Sequence, residues 1–529
     1  MNGESDAREV NKKRGYEQDG NGMDGVAADK KNMSYNSTEL RPGMISLIKV
    51  FGLIIFLELI TLWFMLFAGF EVKIYYAAIL LVPVIVLILP LVPAIGFAAM
   101  VATTALDYFG VITQDTSGVY TTKLTYFHIV MAVTLVSAFF NMIIRKKNTI
   151  PRLSIWAPLI AFLLMYTVSI TRTHPRMIND AFITLVRVTA LSSIVLALVL
   201  SLNRKWKLGI VVGAMIIMPL VVAGVTLYQL LFQGTLFAPI IIKMATALGL
   251  PVFRATGTFT NPNSMACFIM TGAVLGFALM FHKNFSFLLK VLIFLSIIVI
   301  NLGLLGSFSR GGWVSAIVAL SIIIVFHKKW SYLWYFGIIL VVCLFIVSLK
   351  MPRLWEVVFE RFGTIFNSVE DASSMGRIAL IKTSIGMWMD YPIFGVGLRS
   401  FPAYFADYVD PSMPKVLSSY LSEAHTIQFE ILAEFGIVGI TITSWLFFTV
   451  LFEGCRTIRT MRNNLLRCLQ IGLTALLVGD IVNFTFATDI TNNMFWMTVG
   501  LIYVVPLIDR EEKAPPEENG KDVPLPASS

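Results

Sequence analysis

Between residues 291 and 326 the chain reads VLIFLSIIVINLGLLGSFSRGGWVSAIVALSIIIVF, and Arg310 is the one charged side chain in it. Two apolar runs, 287–306 and 311–326, meet at the short polar stretch SFSRGGW (307–313). Each run approaches the ~20 residues that a helix needs to cross a hydrocarbon core. A lone strand would leave its backbone groups unpaired in lipid, so both runs are read as helices.

Working outward, the pattern recurs. Further spans are expected near 45–69, 75–91, 93–110, 124–144, 154–171, 179–201, 208–231, 263–281, 331–349, 427–452, 465–487 and 491–508. Hydrophobic residues form 57% of the 529-residue chain, charged residues 14%, and the mean hydropathy is +0.78. A soluble domain needs more polar surface than that. The expected fold is an all-α polytopic membrane protein with roughly fourteen spans (12–14) and one large extracytoplasmic loop. The chain then divides into a polar tail (1–43), a block of helices (44–349), the loop (350–426), three closing helices (427–509) and a second polar tail (510–529). Both tails read as disordered, and the first apolar run reads as an uncleaved signal anchor.

The formal net charge is +9. Basic residues collect in the connections that alternate spans place on one side: Arg145, Lys146, Lys147 and Arg152; Arg204, Lys205 and Lys207; Lys283; Lys328 and Lys329; Arg456, Arg459, Arg462 and Arg467. The positive-inside rule makes that side, and both tails, cytoplasmic. No basic stripe with interleaved aromatics points to nucleic acid. Cys267, Cys343, Cys455 and Cys468 are scattered, with neither metal-ligand spacing nor a disulfide framework, and are read as packing residues.

The opposite face holds two long connections, 232–262 and 350–426. In the second, Ile378, Ile381, Ile385 and Trp388 recur at helical spacing, which predicts an amphipathic helix on the membrane surface. Pro392 and the glycines of YPIFGVG (391–397) should end it. Topology does not ask for arginines on this face, yet Arg172, Arg176, Arg254, Arg310, Arg377 and Arg399 fall there. Arginine presents a planar fork of donors that matches a phosphate bidentately. Such a group at a membrane–water boundary suits a lipid-linked phosphate or pyrophosphate. The plainer account pairs these arginines with nearby carboxylates or lipid headgroups.

Arg310, between two spans and flanked by glycines that permit close approach, is the strongest case. Arg187 lies alone inside a span, where a charge is costly and marks a functional position by default. Snorkelling, or a structural pair with Asp480, competes with that reading. His425, in SEAHTIQFEILAEFGIVGI (422–440), stands where the large loop re-enters the membrane, beside Glu423 and Glu430. Histidine is the usual general base near neutral pH. The other histidines, His128, His174, His282 and His327, read as polar caps.

Four stretches occur in order: Arg254 with GTFTNPN (257–263), SRGGW (309–313), Arg377 with DYPIFGVGLRSFP (390–402), and AHTIQFEILAEFGIVG (424–439). Together they resemble the O-antigen ligase/polymerase family of bacterial membrane glycosyltransferases, over roughly residues 250–450. His425, Gly436 and Gly439 keep the spacing of that family's loop marker, with Thr426 where the family carries an amide or serine. The resemblance implies a GT-C-like fold in the bacterial inner membrane. It implies transfer of a glycan from undecaprenyl pyrophosphate to the hydroxyl of a glycan or glycolipid acceptor, such as the lipid A core, on the extracytoplasmic face. His425 would be the base. Arg310, Arg254 and Arg377 would bind the pyrophosphate, with Arg187 and Arg399 as further substrate contacts. No Asp-x-Asp or clustered carboxylates stand ready for a metal, and no cofactor is expected. A polymerase of the same family, a transporter of lipid-linked sugars and a membrane scaffold remain as alternatives.

Overall fold

The computed structural model describes residues 93–107, 111–115, 122–144, 150–232, 243–247, 250–331, 372–409, 426–486 and 492–512, with the isolated positions 337, 341 and 345. The expected spans 45–69 and 75–91, both tails and His425 lie outside these residues, as does nearly all of span 331–349. Every other expected span is a helix. In chain order these are α1 (Pro93–Ala105), α2 (Tyr126–Ile144), α3 (Trp156–Ser169), α4 (Ile178–Ser201) and α5 (Lys205–Phe232). There follow α6 (Pro262–Leu279), α7 (Phe287–Gly306) and α8 (Arg310–His327). The large loop contributes α9 (Ala372–Asp390) and the short α10 (Phe401–Tyr408). The chain closes on α11 (Ile427–Thr460), α12 (Asn464–Asn483) and α13 (Asn493–Glu511). Eight helices among the described residues are long and apolar enough to cross a membrane, and the chain is a multi-pass helical membrane protein.

Helix starts are written in the sequence. Asn261, Ser286, Ser309, Asn463 and Asn492 each turn a side-chain oxygen onto backbone N–H groups of the first turn. The α6, α12 and α13 helices are buried along most of their length and form the centre. Around them α6 packs on α5, α7 and α8, while α13 packs on α4. Ile160, Leu164 and Val168 form an exposed apolar row along α3, the pattern of a lipid-facing surface. Between helices, where lipid is as apolar as the side chains, small residues allow the close approach that holds the bundle. A Cβ on Gly312 would stand 2.7 Å from that of Ala266, so the α8 backbone packs directly on the α6 side chain there.

The basic connections meet at one end of the bundle. Lys205 pairs with Glu512 at 2.7 Å, Asn463 N–H donates to Asp509, and His282 lies 2.9 Å from the Asn464 side-chain oxygen. The other end carries two antiparallel hairpins that hydropathy did not foretell, β1 (Val111–Asp115) with β2 (Thr122–Thr125) and β3 (Lys243–Ala247) with β4 (Leu250–Arg254). Both hairpins sit in connections, where the backbone can pair locally outside an apolar run.

The helix expected on the membrane surface is α9, and its burial differs from the expectation. Ile378 is exposed and Ile381, Ile385 and Trp388 are half-buried, while Leu380, Thr383, Ser384 and Met387 form the buried face. Leu380 and Met387 join Val396, Phe401, Phe405 and Ala433 in a small separate core. The hydroxyls can be buried because Thr383 and Ser384 donate to the carbonyls of Ala379 and Leu380, one turn back.

Candidate functional site

The α7–α8 turn gathers three of the predicted arginines. Phe308 takes a positive φ of 48°, a strained setting for an aromatic residue, so the turn is held by its surroundings. Ser307 Oγ accepts the Ser309 N–H at 3.1 Å, Ser309 Oγ accepts that of Gly312 at 3.3 Å, and Trp313 Nε1 donates to Leu304 O at 3.0 Å. Arg310 is the first residue of α8. A cation at a helix N-terminus works against the helix dipole, and the arrangement is balanced when an anion sits there.

Arg254 closes β4 and reaches the same turn. Its Nε donates to Ser307 O and one terminal nitrogen to Asn263 Oδ1, both at 3.0 Å. Arg377 lies over the ring of Phe486, 5.9 Å from the centroid. The Phe486 Cβ would be 2.7 Å from a Cβ on Gly311, so the stack rests against the residue after Arg310. The glycines of SRGGW therefore admit an aromatic ring on one side and α6 on the other.

Beside this turn opens a polar cavity of about 330 Å³. It lies where α1 and α12 end and α2, α6 and α13 begin, at the end of the bundle opposite the basic connections. Amides of Asn261, Asn263, Asn483, Asn492 and Asn493 line it, with hydroxyls of Thr103, Thr104, Thr125, Thr260 and Ser264. Arg187, Asp107 and His128 complete the polar wall, and Phe259, Phe268 and Phe484 supply apolar surface. Asn263 is shared by the cavity and Arg254. Among the described residues Arg187 makes no ion pair with Asp480, so that alternative does not form. Asp480 is buried, with Cys267 Sγ 3.6 Å from Oδ1.

Arg399 goes elsewhere. It has a positive φ of 57° on the turn after α9 and faces Glu430 of α11 at 3.7 Å. The turn itself is laced into a break in α11. Gly436 stands at φ 64°, ψ −156°, and four backbone bonds cross there. Val396 and Gly397 donate to Ala433 and Glu434 at 2.9 and 3.0 Å, and Ile437 and Val438 donate to Pro392 and Ile393 at 2.9 and 3.2 Å. From the other side Arg172 Nε donates to Gly395 O at 3.3 Å and His174 N–H to Ser400 Oγ at 2.9 Å. Arg172, read from the sequence as an external cation, is thus part of the scaffold. His425 precedes the described start of α11, where Ile427 N–H donates to Phe484 O at 3.0 Å and so pins that start to the cavity wall.

Sequence reasoning read His128 as a polar cap and passed over Asp107 and the asparagines. Their signal was TNPN (260–263) and TNN (491–493), two amide-rich stretches at span ends expected on one face. Each reads first as a helix cap, and Asn261 and Asn492 are indeed caps.

Residues 291–444 match the family model described as O-antigen ligase. The resemblance read from the sequence holds over that segment, which contains Arg310, Arg377, Arg399, His425 and Gly436. No curated protein matches. A solved chain described as "Structural coordination of polymerization and crosslinking by a peptidoglycan synthase complex" is 14% identical, with 67% of this chain and 97% of that chain covered. Its TM-score of 0.37 is too low to bear on fold or function.

Proposed function

We propose that this protein is an O-antigen ligase-like glycosyltransferase that moves a glycan from undecaprenyl pyrophosphate to an acceptor hydroxyl on the extracytoplasmic face. The observation that carries the reading is the convergence of Arg254, Arg310 and Arg377 on one helix-start turn. That turn lies inside the segment matched by the O-antigen ligase family. The leaving group is a pyrophosphate, and its developing charge is lowered in energy by cations held in place beforehand. Arg310 and the α8 N-terminus meet it directly. Arg254 also fixes the turn and Asn263, Arg377 approaches over Phe486, and Arg187 contacts substrate from the cavity wall. Arg399 contributes by holding the turn after α9 against α11. These cations do the work here without a metal.

The acceptor oxygen attacks the anomeric carbon from the side opposite the pyrophosphate. The carbon–oxygen bond to phosphate breaks, and the lipid pyrophosphate leaves with its electron pair. His425 takes the proton of the attacking hydroxyl, and the configuration inverts.

The test is release of lipid pyrophosphate by purified protein given the glycan-bearing lipid and candidate acceptors. Arg310→Gln and His425→Ala should each slow release by about a hundredfold or more, and chelation of divalent metals should leave turnover intact. Release unchanged in both variants would sink the site. Transfer to a lipid A core saccharide marks a ligase, and lengthening of the donor glycan marks a polymerase. Movement of the donor across vesicles with no transfer to any acceptor would make the protein a transporter instead.

A further inference from the structure

We propose that the cavity beside the α7–α8 turn is a carbohydrate subsite, taking the sugar ring that the donor carries on its pyrophosphate. The inference rests on the pyrophosphate reading above and adds the part of the donor that lies beyond the phosphates.

A sugar hydroxyl both gives and accepts a hydrogen bond, and one left unpaired away from water is costly. A sugar site therefore needs donors and acceptors together, and the fold leaves both in this cavity. Asn261 spends Oδ1 on the Asn263 N–H at 2.9 Å, and Asn263 spends Oδ1 on Arg254, so each keeps its Nδ2 as a donor. The Thr125 N–H donates to His128 Nδ1 at 3.2 Å. A proton on Nδ1 would face that amide proton, so the ring's proton is on Nε2, a further donor. Asp107 spends Oδ2 on the N–H and hydroxyl of Thr260, at 3.1 and 2.9 Å, and keeps Oδ1 as an acceptor. Asn493 spends Nδ2 on Thr104 at 3.3 Å and keeps Oδ1. The bond each group has already made fixes the direction of the one it has left, which is preorganisation for a ligand.

Charge and size agree. The cavity holds one guanidinium, Arg187, and one carboxylate, Asp107. A pocket built for a pyrophosphate alone would not place a carboxylate beside it, since like charges in contact weaken binding. Its volume of about 330 Å³ stands at the small end of ligand sites, enough for a ring rather than a chain. The position fits as well: Asn263 lies in the wall and bonds Arg254, so a sugar here is one side chain from an arginine of the pyrophosphate group.

The experiment titrates full-length protein in lipid nanodiscs with two ligands, undecaprenyl pyrophosphate bearing one hexose and undecaprenyl pyrophosphate alone. Wild type should bind the hexose-bearing lipid more tightly. Asp107→Asn and His128→Phe should each weaken it about tenfold while changing the bare lipid by less than about twofold. Equal losses for both lipids would make the cavity a pyrophosphate site and overturn the proposal. So would the absence of any wild-type preference for the hexose, a comparison that needs no variant to fold. Arg310→Gln should weaken both lipids together. Failure of that result alone would remove the pyrophosphate reading while the hexose preference still stood.

Discussion

Replacing Gly436 by alanine should undock the turn 391–397 from α11. At φ 64°, ψ −156° the backbone occupies a region that is essentially glycine's alone, and holding another residue there costs about 1–3 kcal/mol. The new Cβ would also lie 2.5 Å from the carbonyl carbon and oxygen of Ile393 and 2.8 Å from Gly395 N. All three are backbone atoms, so no side chain can swing away to relieve the overlap. Relief means parting the two segments, and parting them forfeits the backbone bonds donated by Val396, Gly397, Ile437 and Val438. At about 0.5–1.5 kcal/mol net for each of those bonds, the loss is about 2–6 kcal/mol. Hydrogen exchange reads this directly. Those four amides should exchange at least about thirtyfold faster in the variant, since every ~1.4 kcal/mol is a factor of ten. Turnover should fall with them, because the turn carries Arg399 and the break sets the start of α11 that follows His425. Unchanged exchange at all four amides, with wild-type turnover, would refute the account.

Arg254→Lys keeps the charge but cannot bond Ser307 O and Asn263 Oδ1 at once as the guanidinium does. Turnover should drop about tenfold or more, the worth of one charge-assisted bond, and wild-type kinetics would show that Arg254 acts as a point charge only. With His425 as base, kcat/KM should fall as pH drops and the ring becomes protonated, because the protonated ring has no lone pair to take the acceptor's proton. A profile flat through that protonation, with chemistry rate-limiting, would assign the histidine to binding.

The helices were legible because lipid imposes a rule on the sequence: an apolar run of sufficient length has one backbone solution. The basic connections were legible for a related reason, and contacts such as Lys205 with Glu512 now join their ends of the bundle physically. Packing within the large loop was less so. Ile378 and its neighbours carry the stronger apolar signal, yet α9 buries the face of Leu380, Thr383, Ser384 and Met387. Small hydroxyl side chains that satisfy themselves on their own helix look polar in a sequence and pack like alanine in a core.

The arginines and the amides show where reading by residue type stops. Of the six arginines expected on the outer face Arg310 stood out by its place between spans, and the fold separates four of them by what else they touch. Arg172 and Arg399 fasten the turn 391–400, Arg254 fastens the α7–α8 turn, and Arg310 begins a helix whose dipole its charge opposes. A cation at a helix N-terminus works against the helix dipole, so an anion there is favoured in a way that a cation stapling a loop does not ask for. The same logic runs through the asparagines. A cap uses the oxygen of an amide and can leave its nitrogen: Asn492 spends that nitrogen on Cys267 Sγ at 3.0 Å, while Asn261 keeps it for the cavity. Asn263, its oxygen on Arg254, keeps its nitrogen in the same way. The cavity's wall is thus built in part from caps that the helices required anyway, Asn261 and Asn492 among them, and His128, read from the sequence as a polar cap, does take the Thr125 N–H.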